Sequence, residues 1–522
     1  MRRGWLLVAA LVCTRFAAGQ QDDAKRCADL APATLEHAKV VNAAIGTIEY
    51  LQAMKIQHPE TVPSFCRVQV VDRPSADSEI KTEVWLPLRG WNGRMRAQGN
   101  GGFAGVIYLD AMAETVRQGY ATVGTDTGHT GGRAEFALGH PEKVKDFGWR
   151  AVHDMTVEAK ALIKAFYGKE QEKAYFTSCS DGGREALMEA QRFPADYDGI
   201  LAGAPAYNWT GLLSAAAENV RRMSVPENFL PAEKIPALAA AVNAACDARD
   251  GVKDGVLNDP RECGFDPATM VCKSGDSVNC LLPGQVETVK RIYAGIDAHG
   301  TKLPGLEPGA EDGPEGWTRW ITGDGREASM TFYSHGYFSN FIFFLPDWKS
   351  SEFVLDRDYK LAKERTAADL DATDTNLSKF LSRGAKLILY HGWNDPGIPA
   401  QMTVDYFNGV LGKTGEQATA SGVRLYMIPG MQHCASGPGA TEFGQGMGPR
   451  GDARHDVFTA LEGWVEKGNS PGVLTAAKNE GKGTAKVVVM TRPLCPYPEL
   501  EKYDGKGDPT KAESFACAAD QK

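Results

Sequence analysis

The sequence has no C-x-x-C pair and no Cys/His cluster at ligand spacing, so its cysteines do not describe a zinc site. It has no excess of base. With 57 Lys and Arg against 66 Asp and Glu, the formal net charge of −9 argues against nucleic acid or an anionic membrane surface as partner. It also lacks an apolar run of bilayer-spanning length. The run Trp5 to Val12 is too short; with Arg2-Arg3 before it and Ala17-Ala18-Gly19 after it, residues 1–19 read as a secretory signal peptide. Cleavage there removes three arginines and no acid, taking the charge from −9 to −12. Val12 is too bulky before Cys13 for a lipoprotein-type site, so the expected product is secreted or periplasmic, with no membrane anchor.

What remains has the composition of a globular protein, 43% hydrophobic and 24% charged. At 522 residues it exceeds one ordinary core, which predicts two domains or one with a large insertion. Ten of the 11 cysteines survive signal removal, and an even number in an oxidising compartment reads as a disulfide set.

The stretch Tyr175-Phe176-Thr177-Ser178-Cys179-Ser180-Asp181-Gly182-Gly183-Arg184 organises the rest. It reads as a short strand, a tight turn of small residues and a helix from Glu185 to Arg192. A serine at such an apex is the nucleophile elbow of an α/β-hydrolase, whose strained turn demands small neighbours. Here Ser178 stands where that motif has its first Gly, and Gly182 supplies the second.

Strand patterns precede it at 67–71, 80–86 and 95–98, and the last runs into Gly99-Asn100-Gly101-Gly102-Phe103-Ala104-Gly105. A glycine cluster is often only a flexible turn. Placed after an early strand, it fits the second half of an oxyanion hole, where backbone must approach the substrate. A buried strand at 120–124, a helix at 155–167 and a strand before Pro205 make a βαβ alternation, which predicts a mainly parallel sheet. Residues 206–374 hold few strand signals, many aromatics and four cysteines, and read as an inserted lid domain. The catalytic domain is then 20–205 with 375–522. Within the insertion, Asp247, Asp250 and Asp254 with Gly251 and Gly255 form an acidic turn, either a plain surface loop or a calcium site, and not an EF-hand. The sheet resumes at 385–390, ending in His391-Gly392-Trp393-Asn394-Asp395, and at 423–428, ending in Pro429-Gly430-Met431-Gln432-His433-Cys434.

An acid past one late strand and a histidine past the next, both after the serine, is the hydrolase order Ser, Asp, His. Ser180 is the expected nucleophile, His433 the base and Asp395 the residue that fixes its tautomer. Asp126, His129, His153 and His391 precede the elbow or lack the late strand-end position, and are expected to be structural or substrate-adjacent. Cys179 precedes the nucleophile and Cys434 follows the base, so an intact triad forces them together and predicts a bridge. Chain-entropy reasoning makes so long a closure worth about 4–5 kcal/mol.

These paired Cys-Ser and His-Cys steps resemble the tannase and feruloyl esterase family, which includes monohydroxyethyl terephthalate hydrolases. The likeness covers nearly the whole mature chain, including the Gly99–Gly105 loop, Thr125-Asp126-Thr127-Gly128-His129, Trp149 to Met155, and His391 to Asp395. The resemblance implies an oxyanion hole from the N–H of Asp181 and of a glycine in the Gly101-Gly102 step. It implies a structural calcium ion on the side chains of Asp247, Asp250 and Asp254 and the carbonyls of Val252 and Val256. With sequence nearness, it also implies the pairs Cys27–Cys66, Cys246–Cys263, Cys272–Cys280 and Cys495–Cys517. Two positions depart from relatives. Asp181 adds a negative charge beside the nucleophile unless Arg184 or a lid arginine compensates, and Ile398 replaces the aromatic ring of a terephthalate-specific relative.

The expected function is a serine carboxylic ester hydrolase for small aromatic esters of feruloyl or galloyl type, acting through an acyl-enzyme, with the lid holding the aromatic acid. The alternatives are a monohydroxyethyl terephthalate hydrolase, a peptidase on the same fold, and a non-catalytic calcium-dependent binding protein.

Overall fold

The computed structural model describes residues 21–446, 450–481 and 486–519; the signal segment read at 1–19 lies outside them. Fifteen strands follow in chain order: β1 (Ala38–Ile45), β2 (Phe65–Asp72), β3 (Ile80–Pro87), β4 (Arg94–Gln98), β5 (Ala121–Thr125), β6 (Lys173–Cys179), β7 (Gly199–Gly203), β8 (Ile296–Ala298), β9 (Thr301–Leu303), β10 (Lys386–Gly392), β11 (Val423–Ile428), β12 (Leu474–Glu480), β13 (Val487–Leu494), β14 (Glu499–Tyr503) and β15 (Phe515–Ala519). Nine of them make one sheet in the order β1-β2-β3-β5-β4-β6-β7-β10-β11. From β5 to β11 every pairing is parallel, whereas β1, β2, β3 and β5 pair antiparallel. The sheet is thus mixed and, as expected, mainly parallel, with five of its eight pairings parallel and the antiparallel ones confined to the N-terminal strands.

The parallel strands are buried because helices cover both faces, so they read as apolar runs. Every residue of β7 is buried. Helices Ala151–Tyr167 and Asp181–Arg192 pack Met155, Leu162, Ala186 and Leu187 into the same cluster as Val123, Phe176 and Ile200. On the other face, helix Val457–Lys467 packs Phe458, Leu461 and Trp464 against Tyr175, Leu201 and Ile388. This is an α/β-hydrolase core, with the elbow on β6 near the sheet's centre.

Between β7 and β10 the chain leaves the sheet. A hydrophobic cluster built on Leu238, Val242, Leu281, Val289 and Trp317 belongs to that excursion alone. A second joins its Trp209, Phe338 and Phe341 to Phe103 of the glycine loop and Phe147 of the helical turn Asp146–Arg150. All five disulfides named above are formed.

Candidate active site

Ser180 follows directly on the last residue of β6 and sits at φ 68°, ψ −124°. That left-handed backbone is strained for a residue with a Cβ, and it turns the side chain out above the strand ends. The turn is held at both ends: the N–H of Ser180 donates to Gly203 O (3.0 Å), and its carbonyl accepts from the N–H of Ala206 (3.1 Å). The helix begins at Asp181, four residues before the expected Glu185, because Gly182 and Gly183 serve close contact and not a loop. A Cβ on Gly182 would collide with Ser178 Oγ and lie 2.5 Å from Asn100 O.

Asp395 lies three residues past β10 and His433 five past β11. His433 Nε2 is 2.8 Å from Ser180 Oγ, and His433 Nδ1 is 2.7 Å from Asp395 Oδ2. The carboxylate accepts at Nδ1, so that nitrogen carries the proton and Nε2 is left to accept from the serine hydroxyl. Asp395 is fully buried, and its Oδ1 takes the N–H groups of Gly397 (2.8 Å) and Ile398 (3.0 Å). Burial alone would raise its carboxyl, but His433 and His391 outweigh burial and hold it below the ordinary carboxylate range. Burial likewise favours neutral His433, yet Asp395 prevails and raises the imidazole.

The other candidates are braces. His391 is buried, its Nε2 shared between Asp395 Oδ2 and Ile398 O and its Nδ1 facing Thr403 Oγ1 (2.7 Å), so it orients the carboxylate. Asp126 Oδ1 accepts the N–H groups of Lys81 and Gly128, and His129 Nε2 donates to Phe103 O at the glycine loop. His153 pairs with Asp196 (2.7 Å). Glu189 adjoins that pair, but the ammonium of Lys160, 3.5 Å from Asp196, already supplies the positive charge a metal would bring. Cys272, Asp276 and Cys280 also cluster, but those cysteines form a disulfide and offer no thiolate.

Two cavities meet at Ser180, sharing Gly102, Trp320 and Tyr333. The inner chamber runs between Trp209, Leu213, Ile292, Met330 and Ile398, with no Lys or Arg among the described residues that line it. The outer one is a cleft open to solvent, edged by Gln57, Tyr108, Asp110, Arg117 and His433. His433 faces only the cleft. Asp181 touches the chamber, yet its carboxylate is buried against Arg184 (2.6 Å), whose other donors reach Phe147 O and Gly148 O. The charge noted beside the nucleophile is thus compensated by Arg184. Gly102, at φ +60°, has no room for a side chain, because a Cβ would lie 2.6 Å from Tyr333 Oη; Gly101 has that room. Among the described residues, no acceptor takes the N–H of Gly101, Gly102 or Asp181.

In the acidic turn, Asp247 Oδ1 accepts from Asp254 N–H (3.3 Å) and Gly255 N–H (2.9 Å), Asp250 Oδ1 from Val252 N–H (2.9 Å), and Asp254 Oδ1 from Val256 N–H (3.1 Å). Each acid folds the turn with one oxygen and keeps a second. That of Asp254 meets Arg492 of β13. Gly251 and Gly255 take the positive φ that the folding requires.

Residues 66–518 match the family model of tannase and feruloyl esterase. The chain is 38% identical over 492 residues to an uncharacterized esterase of Xanthomonas campestris pv. campestris, covering 88% of this chain and 85% of that one. It is 33% identical over 509 residues to a probable feruloyl esterase B of Aspergillus clavatus, covering 93% and 95%. Among solved structures, feruloyl esterase B from Aspergillus oryzae superposes with a TM-score of 0.86 at 28% identity, covering 95% of this chain and all of that one. Tannin acyl hydrolase from Aspergillus niger shares the fold at a TM-score of 0.69 and 22% identity.

Proposed function

The chain belongs to the tannase and feruloyl esterase family and is an ester hydrolase of that type; from this premise we propose a serine acyl-enzyme mechanism on esters of neutral aromatic acids. Ser180 Oγ attacks the ester carbonyl carbon as its proton passes to His433 Nε2, with Asp395 holding the Nδ1–H and supporting the imidazolium. The developing oxyanion takes the N–H of Asp181, at the positive end of its helix, and that of Gly102 or Gly101. On collapse the C–O bond breaks and His433 returns its proton to the leaving oxygen. Water then attacks the acyl carbon, gives a proton to His433, and the acid leaves as Ser180 Oγ recovers it.

The observation that carries this reading is the Ser180–His433–Asp395 chain at the meeting point of two unlike cavities. The leaving alcohol receives its proton from His433, which faces the open cleft, so the alcohol lies there and the acyl group lies in the inner chamber. Residues 206–374 would then serve as the lid that supplies Trp320, Met330 and Tyr333 around the acid. Hydrolysis of methyl ferulate, methyl caffeate, methyl gallate and monohydroxyethyl terephthalate, each beside Ser180→Ala, tests it. Serine-dependent turnover of a hydroxycinnamate or gallate supports the reading; turnover that survives Ser180→Ala overturns it. A peptidase or a binding protein without turnover fits the family less well than an esterase.

The acidic turn fits a hard cation, since carboxylate and carbonyl oxygens are what calcium takes. Asp247, Asp250 and Asp254 with the carbonyls of Val252 and Val256 would hold it. A bound ion adds charge and cross-links to a turn tied to β13, so its role is structural. Chelation should lower Tm by a few degrees, restored by calcium, and Asp250→Ala should abolish the response; an unchanged melt sinks the site. Bound at about 100 times its Kd, the ion would stabilise by about 2.7 kcal/mol. Export is the matching proposal for location, supported by five disulfides and by the lack, among the described residues, of a helix long and apolar enough to cross a membrane.

A further inference from the structure

Glu185 lies in the second turn of the Asp181–Arg192 helix and is 1% exposed, yet it has no ion-pair partner among the described residues. Its neighbour Arg184 spends its guanidinium on Asp181 and two carbonyls. What Glu185 does hold is the glycine loop: its Oε2 accepts the N–H of Asn100 at 2.8 Å. Asn100 is also buried, and its side-chain amide donates to Val106 O (2.9 Å), Thr125 O (3.1 Å) and Ala104 O (3.3 Å). The loop is thus gathered from inside by the Asn100 side chain and anchored from outside through the Asn100 N–H. The approach is so close that a Cβ on Gly99 would collide with Glu185 Oε2 and lie 2.9 Å from Ser178 Cβ. Gly101 and Gly102 follow directly.

We propose that Glu185 is a positioning residue for the oxyanion site, tying the loop that carries the Gly101-Gly102 donor to the helix whose first N–H, that of Asp181, is the other donor. One side chain then sets the spacing between the two donors, and Ser180 is adjacent to both through the same elbow. This rests on the functional reading above. Below about pH 8 the side chain acts as a neutral acceptor. Oε1 is buried without a partner among the described residues, and burial, reinforced by Asp181, pushes the carboxyl up to about 8. A primary amide offers the same carbonyl oxygen, so glutamine should do the same work.

The test compares wild type, Glu185→Gln and Glu185→Met, the last keeping volume while removing the acceptor. Steady-state hydrolysis of methyl ferulate, affinity for an aryl boronic acid and hydrogen exchange of the Asn100 amide are measured for each. Displacing an oxyanion donor costs about 10- to 100-fold in kcat. The expected result is that loss in Glu185→Met with KM within about threefold, matched by weaker boronate binding and faster Asn100 exchange. Glu185→Gln should stay within about threefold of wild type throughout. Wild-type kcat in Glu185→Met, or equal damage in both variants, overturns the proposal. If Glu185→Met does not fold, wild type decides: an unprotected Asn100 amide in active enzyme overturns it. A wild type with a protected Asn100 amide and no turnover of any ester overturns the functional reading instead, and the positioning role with it.

Discussion

His433 stands between two opposed influences. Burial disfavours the imidazolium, while the Asp395 carboxylate 2.7 Å away favours it, and the second prevails. In the proposed mechanism the base must be neutral to take the serine proton, so kcat/KM should fall on the acid side with a limb above the ordinary imidazole value of about 6.5. In Asp395→Asn the favouring charge is gone and burial is left. The limb should move below that of wild type, and kcat should drop about 10³- to 10⁴-fold as the tautomer is lost. A pH–rate profile of both proteins checks this; a wild-type limb at or below 6.5 contradicts it. The chamber residues lead to a second expectation. With no Lys or Arg among the described lining residues and Ile398 in place of a ring, a substrate bearing a free carboxylate must strip that charge of water without a partner. Methyl hydroxyethyl terephthalate, whose distal acid is capped, should exceed the half-ester by at least about tenfold in kcat/KM. Equal rates would show that some cation reaches the acid.

Cys179 closes β6 and Cys434 follows the histidine loop after β11, so one bridge spans 255 residues and joins the two strand ends that bear Ser180 and His433. Neighbours on both sides of the site are thereby fixed: Cys434 takes φ +63° and Ser180 φ +68°. The double variant Cys179→Ser/Cys434→Ser should remain folded at low temperature through the sheet and four other bridges. It should lose kcat about tenfold or more, with a lowered Tm. Measured at a temperature where circular dichroism reports native structure, unchanged kcat would reduce the bridge to a pure staple. At this scale the sequence was most legible where strands are buried on both faces. β11 matches the reading residue for residue, and β10, β6 and β7 match closely, because burial leaves a continuous apolar run. It was least legible at the exposed edges. β1, with its mixed burial pattern, and strands β12, β14 and β15 carry no such run, and the apolar run Val487 to Met490 that opens β13 is exposed or half-buried. The elbow helix starts earlier than its sequence suggests because Gly182 and Gly183 look like turn residues, whereas contact with Asn100 and Gly203 requires them. That Ser180, Asp395 and His433 meet could be foreseen from order and strand-end position alone. Glu185 could not, since a glutamate early in a helix looks like a solvated one until its burial is known.

Over the whole molecule, the same low-dielectric interior that serves the site has trapped other acids. Burial pushes Glu158, under the sheet, up to about 8, and does the same to Glu307. Glu307 links the excursion to the core: its oxygens accept the N–H groups of Ala400 (3.1 Å) and Gln401 (2.8 Å) at the start of helix Ala400–Thr414. For both acids the folded value lies above the unfolded one of about 4.3, so the native state binds more protons between the two. Their contribution is therefore fully present below about pH 4.3 and is lost as pH rises through about 8. His433, also raised, acts in the same direction. Tm should accordingly decline by several degrees between pH 6 and pH 9, even though the base is then in its active form. Activity and stability thus run in opposite directions across the neutral range, and short assays should show a more alkaline optimum than long incubations. Calorimetry from pH 5 to 9 measures the decline, and Glu158→Gln and Glu307→Gln, which stay neutral throughout, should each flatten it. A Tm that holds steady or rises toward pH 9 would mean these carboxyls ionise inside the fold at little cost, through water or a cation that reaches them.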